Sequence, residues 1–169
     1  ERGFASAFSY RFAYWQLIEA ALLLLIVLLA AYFRLWQVAD NPGGYADEAT
    51  HVDIARHLLR GEVQYLAVNQ STLLFARPPL FHLLLAGWFR LLGADMAALR
   101  MFTGGLGVAT VALLYALARR GGAAFALLAA GLLAIFPAAV LYSRFGFSYN
   151  LLAPLLLLAL IGLERYAAG

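Results

Sequence analysis

Long apolar runs constrain this chain more than any other feature of its sequence. Residues 17–36 contain only Glu19 and Arg34 as charged side chains. At about 1.5 Å per residue, a helix of that length crosses a hydrocarbon core of about 30 Å. Hydrophobic residues make up 64% of the chain and charged residues 12%, against roughly 45–50% and 25% in soluble domains. We therefore predict an all-α, multi-pass membrane protein.

Four apolar runs are predicted to span the membrane, at residues 17–36, 97–118, 123–142 and 151–166. Residues 1–16 alternate aromatic rings with arginine, which is typical of a segment lying at the membrane interface. Residues 37–96 are predicted to form an extracytoplasmic loop with juxtamembrane helices at about 48–60 and 78–92, and residues 143–150 a second loop on the same side. The cluster of glycines at positions 104, 105 and 107 lies within a span and predicts close helix packing rather than a phosphate loop.

The number of membrane crossings depends on residues 78–92, which are apolar but short for a span. Counting them as a span gives five crossings and places the two loops on opposite sides. With four crossings, the arginines at positions 2, 11, 119, 120 and 165 fall together on the other side of the membrane from both loops. That distribution satisfies the positive-inside tendency, so we predict four spans. We also expect the chain to be the N-terminal part of a longer protein.

Composition excludes several functions. The chain has no cysteine, so disulfides and thiolate metal sites are excluded. Its net charge is +3, but no basic stripe interleaves with aromatic residues, so we predict no binding of nucleic acid. A transporter or channel is disfavoured because residues 17–36 and 97–118 carry few charges at their centres.

Two adjacent acids, Asp47 and Glu48, stand where a polar loop meets a predicted surface helix. One interpretation is structural: Asp47 caps the helix, and Glu48 interacts favourably with its positive N-terminal dipole. The other is catalytic, since a carboxylate held at a helix start beside the bilayer can accept a proton from an attacking hydroxyl. The sequence leaves both open.

Two arginines are candidates for binding a lipid-linked phosphate. Arg77 precedes two prolines and an apolar helix, and Arg144 follows Tyr142 and Ser143 on the same predicted side. Arginine grips phosphate oxygens in a bidentate way, although Arg77 could equally extend its charge into the headgroups. His82 is predicted to line the site or face the headgroups.

A metal site is a weaker possibility. His51 and His57 lie on the predicted surface helix, each four residues after an aspartate, but the ligands do not form a recognised metal-binding spacing. No cofactor is firmly predicted, and a divalent metal is possible but not favoured.

The order of these motifs resembles the N-terminal part of GT-C glycosyltransferases. Four motifs carry the resemblance: Asp47-Glu48-Ala49, His57-Leu58-Leu59-Arg60-Gly61-Glu62, Arg77-Pro78-Pro79-Leu80 and Tyr142-Ser143-Arg144. The chain is most similar to dolichyl-phosphate-mannose–protein mannosyltransferases and their bacterial relatives, including lipid A aminoarabinose transferases. The similarity extends over the chain from Leu17 onward.

This resemblance implies transfer of a sugar from a polyprenyl-phosphate donor to a hydroxyl of a lipid, glycan or protein acceptor, with inversion at the anomeric carbon. Asp47 is then the catalytic base or the carboxylate that orients the acceptor, Glu48 supports it, and Arg77 contacts the donor phosphate. Many relatives carry a second acid near the position of Tyr149 and Asn150, where this chain has none. Asn150 could instead orient an acceptor or sugar by hydrogen bonds, and Tyr149 is a further candidate for contacting substrate.

The implied setting is the cell membrane (plasma or inner), with membrane lipids and other membrane subunits as further partners. Members of the family continue through many more spans, so we expect the chain alone to be inactive. The alternative function is a non-catalytic scaffold subunit of a larger membrane complex. The absence of the second acid favours that alternative, whereas the intact Asp47-Glu48 and Arg77-Pro78-Pro79 motifs favour the enzyme.

Overall fold

The computed structural model describes residues 2–62 and 80–169, with side chains described from residue 14 onward. Within these residues the chain is helical and contains no strand, which confirms the predicted all-α class. The seven α-helices are α1 (Arg2–Leu35), α2 (Ala46–Leu59), α3 (Leu80–Leu92), α4 (Met96–Ala118), α5 (Ala123–Ile135), α6 (Pro137–Arg144) and α7 (Leu152–Ala168). Short 3₁₀ turns at Arg119–Gly121 and Ser148–Leu151 follow α4 and precede α7.

Three stretches in the described part of the chain are long and apolar enough to cross a membrane: Tyr14–Leu35, Met96–Gly121 and Ser148–Ala168. Helices α5 and α6 together make a fourth, bent by 57°. Helix α1 has 34 residues, so it is about 51 Å long and extends beyond a hydrocarbon core of about 30 Å. The N-terminal segment predicted as an interfacial lead-in is therefore helical from Arg2 and continuous with the span.

The predicted span at residues 123–142 is two helices rather than one. Pro137 has no N–H to continue the ladder of helical hydrogen bonds, and its ring excludes the preceding residue from the helical region. Phe136 accordingly adopts an extended backbone (φ −61°, ψ 115°), and Pro137 starts α6 at its first position. The break leaves the last carbonyl groups of α5 without helical donors.

Small residues hold the spanning helices together. A Cβ added at Gly104 would lie 2.7 Å from a side-chain carbon of Leu35, and one at Gly107 would lie 2.7 Å from Cβ of Ser143. These two glycines of α4 thus allow α1 and α6 to approach closely, as predicted, whereas Gly105 has open space beside it. A small buried cluster of Ala30, Val111, Ala130 and Ala134 completes the contact of α1, α4 and α5.

The second core lies where α2 and α3 pack on the start of α4. Its buried members are Val52, Ala55, Phe81, Leu85, Ala86, Phe89, Ala98, Leu99 and Leu151. Helix α3 has 13 residues and is therefore about 20 Å long, too short to cross the hydrocarbon core. Its length favours the count of four spans over five.

Ion pairs and loop contacts define the two ends of the helical bundle. At one end, Arg119 at the end of α4 pairs with Glu19 of α1, and Arg120 pairs with Glu164 of α7. At the other end, Arg144 binds the carbonyl oxygen of Asn41, so the loops that follow α1 and α6 meet. We call this second region the loop end, comprising residues 36–45, the start of α2 and residues 144–151.

Candidate functional site

The centre of the loop end is a buried ion pair between Glu48 and Arg100. Nε of Arg100 donates to one carboxylate oxygen of Glu48 at 2.8 Å, and Nη2 donates to the other at 2.7 Å. Glu48 also accepts the backbone N–H of Gly146 at 2.7 Å and that of Tyr45 at 3.0 Å. Both charged residues are 1% exposed or less. The carboxylate is therefore fully bonded and joins three separate parts of the chain: the start of α2, the start of α4 and the loop after α6.

Gly146 is the residue that permits this approach. A Cβ at this position would lie 2.3 Å from a methyl carbon of Leu99 and 3.2 Å from the carboxylate of Glu48. Any side chain would push the loop after α6 away from the ion pair.

Arg100 also organises the loop that leads into α2. Its Nη1 donates to the carbonyl oxygens of Ala39 at 3.0 Å and Pro42 at 2.7 Å, with a longer bond to Val38, and its Nη2 donates to that of Gly43 at 3.1 Å. Our sequence reasoning missed this residue. A signal was present, because an ionisable residue inside a predicted span is expensive unless it has a partner or a function.

Burial of Glu48 by itself would raise the pKa of its carboxyl group. The hydrogen bonds from Arg100, Gly146 and Tyr45, together with the charge of Arg100, outweigh that effect and hold the pKa below its usual value. Glu48 is consequently ionised at neutral pH, and with its oxygens occupied it is unsuited to accept a proton from a substrate. Its position fits the supporting role that the resemblance implies for it.

Asp47 is placed quite differently, since it is exposed in the first turn of α2. The structural interpretation, in which Asp47 caps the helix, is wrong. Helix α2 begins at Ala46, and Tyr45 occupies the N-cap position with its N–H bonded to Glu48. Glu48, three residues after the cap, supplies the carboxylate that such a helix start requires. Because Tyr45 and Glu48 form the start of the helix, the Asp47 carboxylate takes no part in capping and remains exposed.

Arg144 binds backbone carbonyl groups at the C-terminal end of α1. Its guanidinium donates to the carbonyl oxygens of Phe33 at 2.6 Å, Trp36 at 2.8 Å and Asn41 at 3.0 Å, and less closely to that of Gln37. The last carbonyl oxygens of a helix lack donors from a following turn, and Arg144 supplies donors to this region. The phosphate-binding role predicted for Arg144 stays a prediction, and in this conformation its donors are engaged by the backbone.

Aromatic rings connect the start of α2 to the start of α7. The ring of Tyr45 contacts the edge of Phe147, with centroids 5.3 Å apart, and Phe147 stacks on Tyr149 at 5.0 Å. The side-chain amide of Asn150 donates to the carbonyl oxygens of Tyr142 and Phe145, which fixes the turn between α6 and α7. Tyr149 is half exposed, at 52%.

His51 and His82 link α2 to α3. Nδ1 of His51 lies 2.9 Å from Nε2 of His82, and both side chains are buried. His82 also lines a largely apolar cavity of about 410 Å³, together with Leu80, Phe81, Ser148, Tyr149, Leu151, Leu152 and Leu155. Two residues predicted to contact substrate, His82 and Tyr149, therefore share one cavity.

The second histidine of α2, His57, stands apart from this cavity. Its Nδ1 is 2.9 Å from the carbonyl oxygen of Asp53, and its ring lies 3.8 Å from the carboxylate of Glu62. Within residues 14–62 and 80–169, no three histidine or acidic side chains are grouped closely enough to hold a metal ion. His51 and His57 are not brought together on one site. Arg77, the remaining substrate-binding candidate, lies outside the described residues.

Comparison with known families identifies the family of the chain. The family model for dolichyl-phosphate-mannose-protein mannosyltransferase matches residues 76–168, which is more than half of the chain. The chain belongs to this family. It is thus a multi-pass, GT-C-type mannosyltransferase-like membrane protein, and its family implies a lipid-linked sugar donor. No curated protein and no solved structure matches the chain.

Proposed function

We propose that this chain carries the catalytic carboxylate of a glycosyltransferase that moves a sugar from a polyprenyl-phosphate donor to an acceptor hydroxyl on the extracytoplasmic side of the plasma or inner membrane. The observation that supports this most directly is the contrast between two adjacent acids. Glu48 is fixed by four hydrogen bonds at the centre of the loop end, while Asp47 beside it is exposed.

In the proposed reaction, the acceptor oxygen attacks the anomeric carbon as the bond from that carbon to the phosphate oxygen breaks. The electron pair of the broken bond leaves with the polyprenyl phosphate, and Asp47 takes the proton of the acceptor hydroxyl. Attack on the face opposite to the phosphate inverts the anomeric configuration. Holding Asp47 next to a rigidly bonded Glu48 lowers the entropic cost of orienting the base.

The apolar cavity beside His82 and Tyr149 provides a surface for the lipid part of a substrate, since six of its eight lining residues, all but His82 and Ser148, are aliphatic, Phe or Tyr. Arg77, which the resemblance assigns to the donor phosphate, remains the proposed phosphate ligand, with Arg144 as a second candidate. Asn150 is proposed to orient the acceptor or sugar through the oxygen of its amide. The acceptor is a lipid, glycan or protein hydroxyl, and other membrane subunits are proposed as partners.

The test replaces Asp47 by Asn in membranes that contain the intact polypeptide. Removing a general base typically lowers the rate about 10²–10⁴-fold, so transfer of labelled sugar from a polyprenyl-phosphate donor should fall by that factor. Asp40→Asn is the matched control, because Asp40 is also an exposed acid of the loop end. Its transfer rate should remain near that of the wild type.

Equal activity of the two variants would show that Asp47 is not the base. Absence of transfer in the wild type, with the protein correctly folded and inserted, would instead favour the scaffold function.

A further inference from the structure

A second cavity, of about 260 Å³, lies among α1, α4, α6 and the start of α7. Its wall includes Arg34, Thr110, Ala139, Ser143, Tyr149 and Asn150. It shares Tyr149 with the apolar cavity beside His82 but is otherwise distinct. Four residues of its wall carry hydroxyl groups: Thr110, Tyr142, Ser143 and Tyr149. Apart from Tyr149 and Asn150, none of its wall residues has a role in the proposed reaction.

Arg34 gives this cavity its charge. The side chain is 1% exposed, and its guanidinium donates to the carbonyl oxygens of Ala134 at 2.8 Å and Leu133 at 2.9 Å. Those carbonyls belong to the last turn of α5, which loses its helical donors at the Pro137 break. The Nε–H of Arg34 is buried and has no acceptor among the described residues.

No carboxylate within the described residues lies near enough to Arg34 to form an ion pair. The neighbouring guanidinium, that of Arg144, donates to the carbonyl oxygen of Phe33 and likewise has no carboxylate partner there. Arg100, by contrast, is neutralised by Glu48. Within the described residues, the charge of Arg34 is thus balanced only by backbone dipoles. A buried, unpaired charge is costly in a low-dielectric medium, so an anion entering the adjoining cavity would be strongly favoured.

The wall of the cavity also suits an anionic oxygen. Thr110 and Ser143 place hydroxyl groups there, each now bonded to a carbonyl of its own helix, and Tyr149 adds a phenol. Hydroxyl groups can rotate to donate to a ligand. A water molecule occupies about 30 Å³ of liquid, so the volume is several times what one bridging water needs. It is, however, below the roughly 300–1,000 Å³ of sites that take drug-sized ligands.

We propose that this cavity binds the phosphate group of a lipid, held by the positive charge of Arg34 and by the hydroxyl groups of Thr110 and Ser143. The phosphate could come from a polyprenyl phosphate or from a phospholipid of the bilayer, which offer the same anionic oxygens. The proposal does not require sugar transfer, because a bilayer phospholipid alone satisfies it.

The experiment measures binding of three soluble probes to the intact protein in phosphate-free maltoside detergent: farnesyl phosphate, dihexanoyl phosphatidylglycerol and uncharged farnesol. We expect the phosphate-bearing probes to bind at least about tenfold more tightly than farnesol, a difference of about 1.4 kcal/mol. Tighter binding of farnesyl phosphate identifies a polyprenyl phosphate as the occupant, and equal or tighter binding of the phosphatidylglycerol identifies a bilayer phospholipid.

A matched pair of variants locates the binding. Ala139→Leu fills the cavity, whereas Ala138→Leu adds the same side chain at the neighbouring, exposed position of α6 that does not line it. Only Ala139→Leu should weaken phosphate-probe binding, by about tenfold or more. The proposal is overturned if farnesol binds as tightly as farnesyl phosphate, or if the two variants bind alike.

A second pair covers the case in which Ala139→Leu does not fold. Thr110→Val removes a hydroxyl from the cavity wall, and Thr103→Val removes another helix-bonded hydroxyl of α4, one that lies away from the cavity. Loss of one hydrogen bond to an anion should weaken binding roughly tenfold for Thr110→Val and leave Thr103→Val unchanged. Identical affinities for these two variants would equally refute the site.

Discussion

Replacing Arg100 by Met should be the most damaging single change at the loop end. The substitution keeps a long apolar stem but removes both hydrogen bonds to Glu48 and those to the carbonyls of the loop before α2. Glu48 would remain buried as a charge held only by two backbone N–H groups. Breaking a buried ion pair by removing one partner costs about 3–5 kcal/mol.

The measurement is the thermal unfolding midpoint of the purified protein in detergent. For a chain of this size about 1 kcal/mol corresponds to roughly 2–4 °C, so the midpoint should fall by roughly 6–20 °C. Arg90→Met is the control, since Arg90 is an exposed arginine on α3 that forms no ion pair with another described residue. Its midpoint should change by no more than about 2 °C, as expected for a surface substitution.

The double variant Glu48→Gln with Arg100→Met tests why stability is lost in Arg100→Met. Removing both charges eliminates the uncompensated carboxylate, so the double variant should be more stable than Arg100→Met alone. If the two effects simply add, or if Arg100→Met is no worse than Arg90→Met, the ion pair does not hold the loop end together and the reasoning fails.

Two further predictions concern the same framework. Because the folded-state pKa of Glu48 is depressed, its contribution to stability is fully present above the unfolded pKa of about 4.3 and is lost as pH falls through the folded pKa. The difference in unfolding midpoint between wild type and Glu48→Gln should therefore be constant from pH 7 to about 5 and shrink below that; a constant difference down to pH 3 would contradict it. Gly107→Ala should lower the midpoint because its Cβ would lie 2.7 Å from that of Ser143, a cost of about 1–3 kcal/mol. Gly105→Ala has open space and should leave the midpoint unchanged or raise it; equal destabilisation by both would mean that α4 does not pack as described.

The length of the apolar runs was enough to predict the helical, multi-pass fold. Inside a bilayer a single segment can satisfy its own backbone hydrogen bonds only as a helix. The break at Pro137 was visible in the sequence as a proline within an apolar run, but whether such a proline kinks or ends a span depends on what satisfies the freed carbonyls. Here Arg34, about a hundred residues earlier, does so. That pairing is a property of the packed bundle and not of either segment alone.

At the candidate site, too, the sequence motif could be recognised from one segment, but the different roles of its residues depend on packing with other segments. The adjacent acids Asp47 and Glu48 stood out as a motif, yet nothing in the motif tells the two apart. Their difference comes from Arg100 and Gly146, which reach Glu48 from other parts of the chain and leave Asp47 outside. Local capping rules pointed to the wrong cap because Tyr45, a poor N-cap residue, is made acceptable by the Glu48 carboxylate.

Three arginines explain why the loop end can be both irregular in backbone and well bonded. Arg100 donates to four carbonyl oxygens besides Glu48, and Arg144 to four between Phe33 and Asn41. Arg34 donates to two at the α5 break and to that of Ala30 in its own helix. A guanidinium offers five N–H donors in a fixed plane, whereas an ammonium offers three, and it is also less strongly hydrated. It can therefore satisfy several freed carbonyls at once close to a bilayer, where each unsatisfied one would be costly. All twelve basic residues of this chain are arginines. At the loop end, their hydrogen bonds to backbone carbonyls hold rigidly the part of the chain that carries Asp47.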